Sequence, residues 1–152
     1  MREIYRTIAS ALIFSKDNKL LLGRKDPNAG GVYPNCWHIP WWWVEEGENL
    51  LDAVKREVLE EVWLDISECE PVFLSDFVEQ WISEKTLSTG EKVVCHMKFN
   101  RFKVLLSENA EDIELTLWDD LVEVQWFSAA EAMKIQHVPW GKELLQNIWF
   151  LQ

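Results

Sequence analysis

Apolar and β-branched residues crowd the stretch from Tyr5 to Phe14, stop at Lys16-Asp17-Asn18-Lys19, and resume at Leu20-Leu21-Leu22. That pattern predicts a hairpin of two buried strands closed by a polar turn. The segment from Asp26 to Asn35 carries Pro27, Gly30, Gly31 and Pro34, which predicts a surface loop before a short strand over Trp37–Pro40. At Asn49, a plausible helix N-cap, the period changes. From Leu50 to Val62 the apolar positions Leu51, Val54, Val58 and Val62 recur at helical spacing and define one core-facing stripe. Glu57, Glu60 and Glu61 lie three and four apart, so they share an adjoining face.

Downstream, Val72–Ile82 and Lys92–Leu106 read as long strands around a turn at Ser88-Thr89-Gly90, and Leu121–Phe127 as another strand with alternating Val122, Val124 and Trp126. Ser128 can cap a short helix through Ala129, Ala130, Ala132 and Met133. Pro139 breaks the chain before a last helix from Lys142 to Phe150. Phe73, Phe77, Phe99 and Phe102 are expected in the core. Strands, helix, strands, helix in that order imply an α/β fold, a mixed sheet with helices on both sides.

Composition narrows the class. A chain of 152 residues, 48% hydrophobic and 27% charged, fits one compact domain over residues 1–152. The net charge of -11, with no basic run to offset it, argues against nucleic acid or an anionic membrane as partner. A phosphate-bearing substrate would need cations as intermediaries. Cys36, Cys69 and Cys95 are odd in number and widely spaced, which fits reduced thiols in a cytoplasmic protein better than disulfides or a zinc site. His38, His96 and His137 lack metal-ligand spacing. Lys16, Asp17 and Lys19 interrupt the N-terminal apolar stretch before it reaches membrane length, and neither export nor a membrane span is expected.

The candidate chemistry sits between Trp42 and Leu64, in WWVEEGENLLDAVKREVLEEVWL. A small divalent cation takes hard oxygen ligands, and glutamates on one helical face supply several without moving the backbone. Hydrolysing a diphosphate requires an ordered water, a base and positive charge against the leaving phosphate, all of which a carboxylate cluster holding metal can provide.

The segment closely resembles the Nudix box, G-x5-E-x7-R-E-U-x-E-E-x-G-U with U bulky and aliphatic. Glu48, Arg56, Glu57, Val58, Glu60, Glu61 and Leu64 match it, while Trp42 and Trp63 stand at its glycine positions. A looser likeness runs through Leu20-Leu21-Leu22-Gly23-Arg24, Trp37-His38-Ile39-Pro40 and Trp126-Phe127-Ser128. The resemblance implies a MutT-like α/β/α sandwich with a mixed β-sheet that hydrolyses nucleoside diphosphate derivatives with Mg2+ or Mn2+.

It further implies Glu60 and Glu61 as main metal ligands, Glu57 as base or further ligand, and Glu48 as a support of the site. Arg56 would orient the glutamates by ion pairing, and the backbone carbonyl of Trp41, in the loop, would complete the coordination. A distal acid is expected at Glu123, with Asp120 as the alternative. Arg24 and Lys25 are candidate phosphate contacts. The expected partner is a small-molecule nucleotide, a nucleoside triphosphate or another nucleoside diphosphate derivative, and a homodimer is among the assemblies left open. The competing reading is a catalytically impaired nucleotide-binding or regulatory module on the same fold.

The tryptophans set this box apart. Glycine serves where backbone must take positive φ or approach a ligand closely, and tryptophan does neither. Typical glycine usage would give about ten in this length, whereas the chain has Gly 6 and Trp 10. Trp41, Trp42, Trp43 and Trp63, with Trp81, Trp118 and Trp140 as further candidates, fit glycine codons read as tryptophan. UGA differs from the glycine codon GGA at one base, and bacterial lineages differ in whether they read it as glycine or tryptophan. Deliberate mutation is the other artificial origin. Genuine tryptophans would predict poor catalysis on a fold that survives by rearranging the loop.

Overall fold

The structure, a computed structural model, describes residues 1–26, 28, 35–116, 121–148 and 150, with the Phe77 side chain left aside. Pro27, Gly30, Gly31, Pro34, Trp118 and Asp120 lie outside the described residues.

Strand β1 (Arg2–Phe14) is the spine. It pairs in parallel with β7 (Lys92–Leu105) along its whole length, Arg2 opposite Val93 through Phe14 opposite Leu105. The expected hairpin forms: β2 (Leu20–Lys25) returns antiparallel to β1, and Ser15 and Asp17 tie the turn through a 2.6 Å Oγ–Oδ1 hydrogen bond. Strand β8 (Leu121–Phe127) pairs along the far edge of β2, and the short β3 (Trp37–His38) pairs with Gly23 and Arg24 on the edge that β1 leaves after Leu20. The result is the mixed sheet that the element order implied.

Alternation along β1 divides the core. Ala9, Ala11 and Ile13 face helix α1 (Leu50–Val62), packing with Val54, Val58 and Val62. Ile4, Ile8, Leu12 and Phe14 face the other way, Leu12 and Phe14 packing with α2 (Ala129–Ala132) and α3 (Gly141–Asn147), and Ile4 and Ile8 with Val138 and Trp140 just before α3. Helices therefore cover both faces. Full burial of each α1 valine contributes about 1.5–3 kcal/mol, enough to fix which side of the helix is turned outward.

Helix α1 has the predicted bounds because its ends are coded locally. The Asn49 side chain accepts from Asp52 N–H at 3.1 Å, and the chain leaves the helix at Trp63 in left-handed geometry, φ 59°. Ser128 likewise caps α2 in a reciprocal box with Glu131.

Four expectations are corrected. Trp41–Trp43 is a strand, β4, antiparallel to β1, because the edge of β1 there offers backbone partners that a loop would leave to water. The stretch Val72–Ile82 is not one strand. Phe73 lies opposite Phe102 and Glu79 opposite Phe99, so six residues on one side meet three on the other. The surplus forms a 3-10 turn at Ser75–Phe77 between β5 (Val72–Phe73) and β6 (Glu79–Thr86). Phe73 is 42% exposed, its ring leaning on Phe102 at 5.3 Å rather than entering the core. The last helix spans Gly141–Asn147 instead of reaching Phe150.

Candidate active site

Arg56 organises the carboxylates. Its Nη2 lies 2.8 Å from Glu48 Oε2, and its Nη1 lies 3.0 Å from Glu57 Oε1 and 3.2 Å from Glu60 Oε2. The hydrogen bond to Glu48, then the charges of Glu57, Glu48 and Glu60, hold the guanidinium above its already high ordinary range, against an opposing effect of burial. Glu48 reaches Arg56 from the loop before the helix, where Glu45 N–H donates to its other oxygen at 3.4 Å. The i, i+3 and i+4 spacing thus places two of the three helix glutamates against a single nitrogen.

Glu61 turns elsewhere. The indole N–H of Trp42 donates to Glu61 Oε2. Trp42 is buried among Ala9, Val58 and Val62, since its place in β4 directs it to the α1 side of the sheet. Its backbone is extended, so the conformational argument for glycine does not apply at this position; the steric argument does, because the ring occupies space beside a candidate ligand. At Trp63 the conformational argument holds. A tryptophan, 69% exposed, occupies the left-handed region that glycine favours. Trp81 and Trp140 pack on each other with ring centroids 5.4 Å apart.

The Trp41 carbonyl is directed by the β4 ladder. Ala11 N–H bonds Pro40 O at 3.0 Å and Val44 N–H bonds Thr7 O at 2.9 Å. Trp42 and Ala9 are the bonded pair between them, so Trp41 stands at a non-bonded position and its carbonyl points away from β1.

Other candidates lie apart from Arg56. Glu123 sits opposite Arg24 across β8 and β2 and accepts from its guanidinium, whose Nη1 also donates to Asn35 Oδ1 at 2.6 Å. Val124 and Trp126 pack toward α1, so alternation turns Glu123 to the opposite face. Lys25 Nζ stands 5.4 Å from the centroid of the Trp41 ring.

Sequence reasoning missed a cleft on that opposite face. It is a narrow, apolar cleft lined by Ser10, His38, Trp41, Phe99, Arg101 and Trp140, among others. Arg101 is 1% exposed; burial lowers its pKa from the ordinary guanidinium value while Glu79, 3.7 Å away, opposes that. The signal was faint: an arginine and an asparagine interrupt the apolar β7 stretch at Asn100-Arg101.

A mixed sheet with helices on both faces, and a capped helix whose Arg56 gathers three acids, Glu57 and Glu60 of the helix and Glu48 of the preceding loop, define a hydrolase of the α/β/α type for phosphoanhydrides. A model of the NUDIX domain matches residues 4–148. The chain belongs to the Nudix family, whose members hydrolyse nucleotide phosphoanhydrides. It is 31% identical over 126 residues, 77% of this chain and 85% of the relative, to "Nucleoside triphosphatase NudI" of Escherichia coli strain K12. Its fold is similar to that of the MutT protein from Methanosarcina mazei Go1, with a TM-score of 0.66 at 20% identity, covering 98% of this chain and 95% of that one. It is also similar to the NUDIX domain of Shewanella oneidensis NrtR, solved with ADP ribose: TM-score 0.65, 14% identity, 96% and 87% covered.

Proposed function

We propose that this chain is a single-domain, divalent-metal-dependent pyrophosphohydrolase acting on a nucleoside triphosphate. Nudix hydrolases generally use divalent metals, and Mg2+ or Mn2+ is the cation proposed here. The observation that carries the reading is the convergence of Glu48, Glu57 and Glu60 on Arg56 within 3.2 Å, in the frame of the box. The triphosphate preference rests on the relative named as a nucleoside triphosphatase.

The donor set fits a hard dication in kind: carboxylates on one helical face and a carbonyl aimed off a strand edge. Among the described residues no three acid, histidine or cysteine side chains stand close enough to hold an ion as they are placed, and Glu61 accepts a hydrogen bond from Trp42. Glu57, Glu60 and Glu61, with the Trp41 carbonyl, would hold the metal, which supplies positive charge against the phosphates and acidifies a bound water. Glu57, whose side chain is 17% exposed beside Arg56, would serve as the base or as a further ligand. Glu48 fixes Arg56, and Arg56 holds Glu57 and Glu60 in register while limiting their mutual repulsion. Lys25 contributes to phosphate binding, and Arg24 does so where it can leave Glu123.

A soluble cytoplasmic enzyme is part of the proposal, supported by Cys36, Cys69 and Cys95 as free thiols; no helix among the described residues is long and apolar enough to cross a membrane. One observation favours the binding-module reading: the Trp42 hydrogen bond on Glu61 withholds a ligand. A panel of nucleotides assayed for phosphate or pyrophosphate release, wild type beside Glu60→Gln, separates the readings. Magnesium-dependent release lost in the variant is expected. Equal release by both would refute the assignment, and tight binding without turnover would favour the module.

A further inference from the structure

Strand β6 is the last strand on its side of the sheet: among the described residues its only ladder is with β7. Leu87 N–H bonds Glu91 O at 2.8 Å across the turn, and the register runs unbroken from Thr86 opposite Lys92 to Glu79 opposite Phe99. Antiparallel alternation then aims the backbone groups of Glu79, Trp81, Ser83 and Lys85 at β7, and those of Gln80, Ile82, Glu84 and Thr86 away from it. An open row of donors and acceptors is a template for another strand, and natural edges are commonly blunted by proline, a bulge or a short length. This edge is 8 residues long and holds neither proline nor glycine.

Its side chains are as open as its backbone. Ile82 is 60% exposed and lies in one row with His96 of β7 and Tyr5 of β1; Tyr5, 69% exposed, stacks on the His96 ring at 4.6 Å. On β1, helix α1 covers this face at Ala9, Ala11 and Ile13 and leaves Tyr5 and Thr7 to solvent. On the opposite face, Glu79 stands near one end of β6 and Lys85 near the other, both half-buried and of opposite charge.

We propose that β6 pairs antiparallel with β6 of a second copy of this chain, on a twofold axis through Ile82, so that two sheets become one. A twofold contact must be self-complementary, and this strand is. With Ile82 on the axis, Glu79 falls opposite Lys85 and Lys85 opposite Glu79, giving two opposite-charge pairs on one face. Gln80 falls opposite Glu84, and every outward-facing backbone meets another, so such pairs exchange both N–H···O bonds. The two Ile82 side chains bury apolar surface that is wet in one chain alone. Moving the axis to Ser83 would set Ile82 against Glu84, and moving it to Glu84 would set like charges against each other. A strand of other sequence would have to supply both a lysine and a glutamate at this spacing, which the chain itself already does. Each copy carries a net charge of -11, but screening confines that repulsion to about 8 Å at physiological salt, so the matched edge decides the contact.

Sedimentation equilibrium of the full chain over a concentration series is expected to show a monomer–dimer equilibrium. Lys85→Glu, which sets like charges opposite each other twice, is expected to weaken the dimer about tenfold or more, and Ile82→Lys to abolish it. Mild oxidation of Ile82→Cys is expected to give a covalent dimer, since Cα atoms in such a pair stand about 5.5 Å apart, whereas Gln80→Cys, which faces Glu84 rather than its own copy, is not. The wild type, with Cys36, Cys69 and Cys95, sets the background. Should Lys85→Glu not fold, the two cysteine variants decide. A monomer at every concentration overturns the proposal and leaves the edge to a different strand. A dimer that Ile82→Lys leaves intact, or equal cross-linking of both cysteine variants, overturns it as well.

Discussion

Replacing Trp42 probes the one contact that sets a candidate metal ligand against its task. In the folded chain the indole N–H occupies a Glu61 oxygen. A hydrogen bond to a charged acceptor contributes about 1.5–3 kcal/mol, so a cation recruiting Glu61 first gives up roughly ten- to more than a hundredfold in affinity. Trp42→Phe keeps an aromatic ring among Ala9, Val58 and Val62 and removes the donor together with part of the indole's volume. Trp42→Gly removes everything and costs about 3–5 kcal/mol of packing, a large part of a typical total of about 5–15 kcal/mol. Mn2+ titration followed by electron paramagnetic resonance should show tighter binding in Trp42→Phe by at least about tenfold, with faster hydrolysis at limiting metal. Unchanged or weaker Mn2+ affinity in a folded Trp42→Phe protein would refute the competition between indole and metal.

Trp63→Gly should stabilise the protein by about 1 kcal/mol, since φ 59° costs tryptophan and not glycine and its 69% exposed ring gives up little burial; a lower denaturation midpoint would contradict this. Burial, foremost, holds the His137 imidazole below its ordinary value of 6.5, with the Ala132 carbonyl opposing. The unfolded chain therefore takes up a proton that the folded chain resists, so this contribution is intact above pH 6.5 and declines as pH falls below it. Urea melts at a series of pH values should show that decline shrink in His137→Gln, and an equal decline in both would exclude His137 as the source. Intact mass of the protein from its native host should report glycine in place of tryptophan at Trp41, Trp42, Trp43 and Trp63, and UGG codons at those positions in the gene would end the recoding account.

Helix α1 and its carboxylates were legible because helical periodicity, the Asn49 cap and the spacing of Glu57, Glu60 and Glu61 are relations among near neighbours in the chain. The turn at Lys16–Lys19 and the capping box at Ser128 are of the same kind. Strand β4 was not legible: its tryptophans carry no alternation of polarity, and it exists as a strand only through its pairing with β1. The 3-10 turn before β6 arises from a register mismatch against β7, which no local pattern records.

The division is one of range. By itself the sequence determined the family, the capped helix, the acid set and the arginine that gathers it, since each rests on contacts within a few turns of chain. The tertiary structure alone decided that Trp42 would reach Glu61, that Glu123 would face away from α1, and that β6 would lie at the edge of the sheet. Those outcomes depend on which strands pair and in what register, and pairing joins residues whose separation along the chain leaves no mark in composition or period.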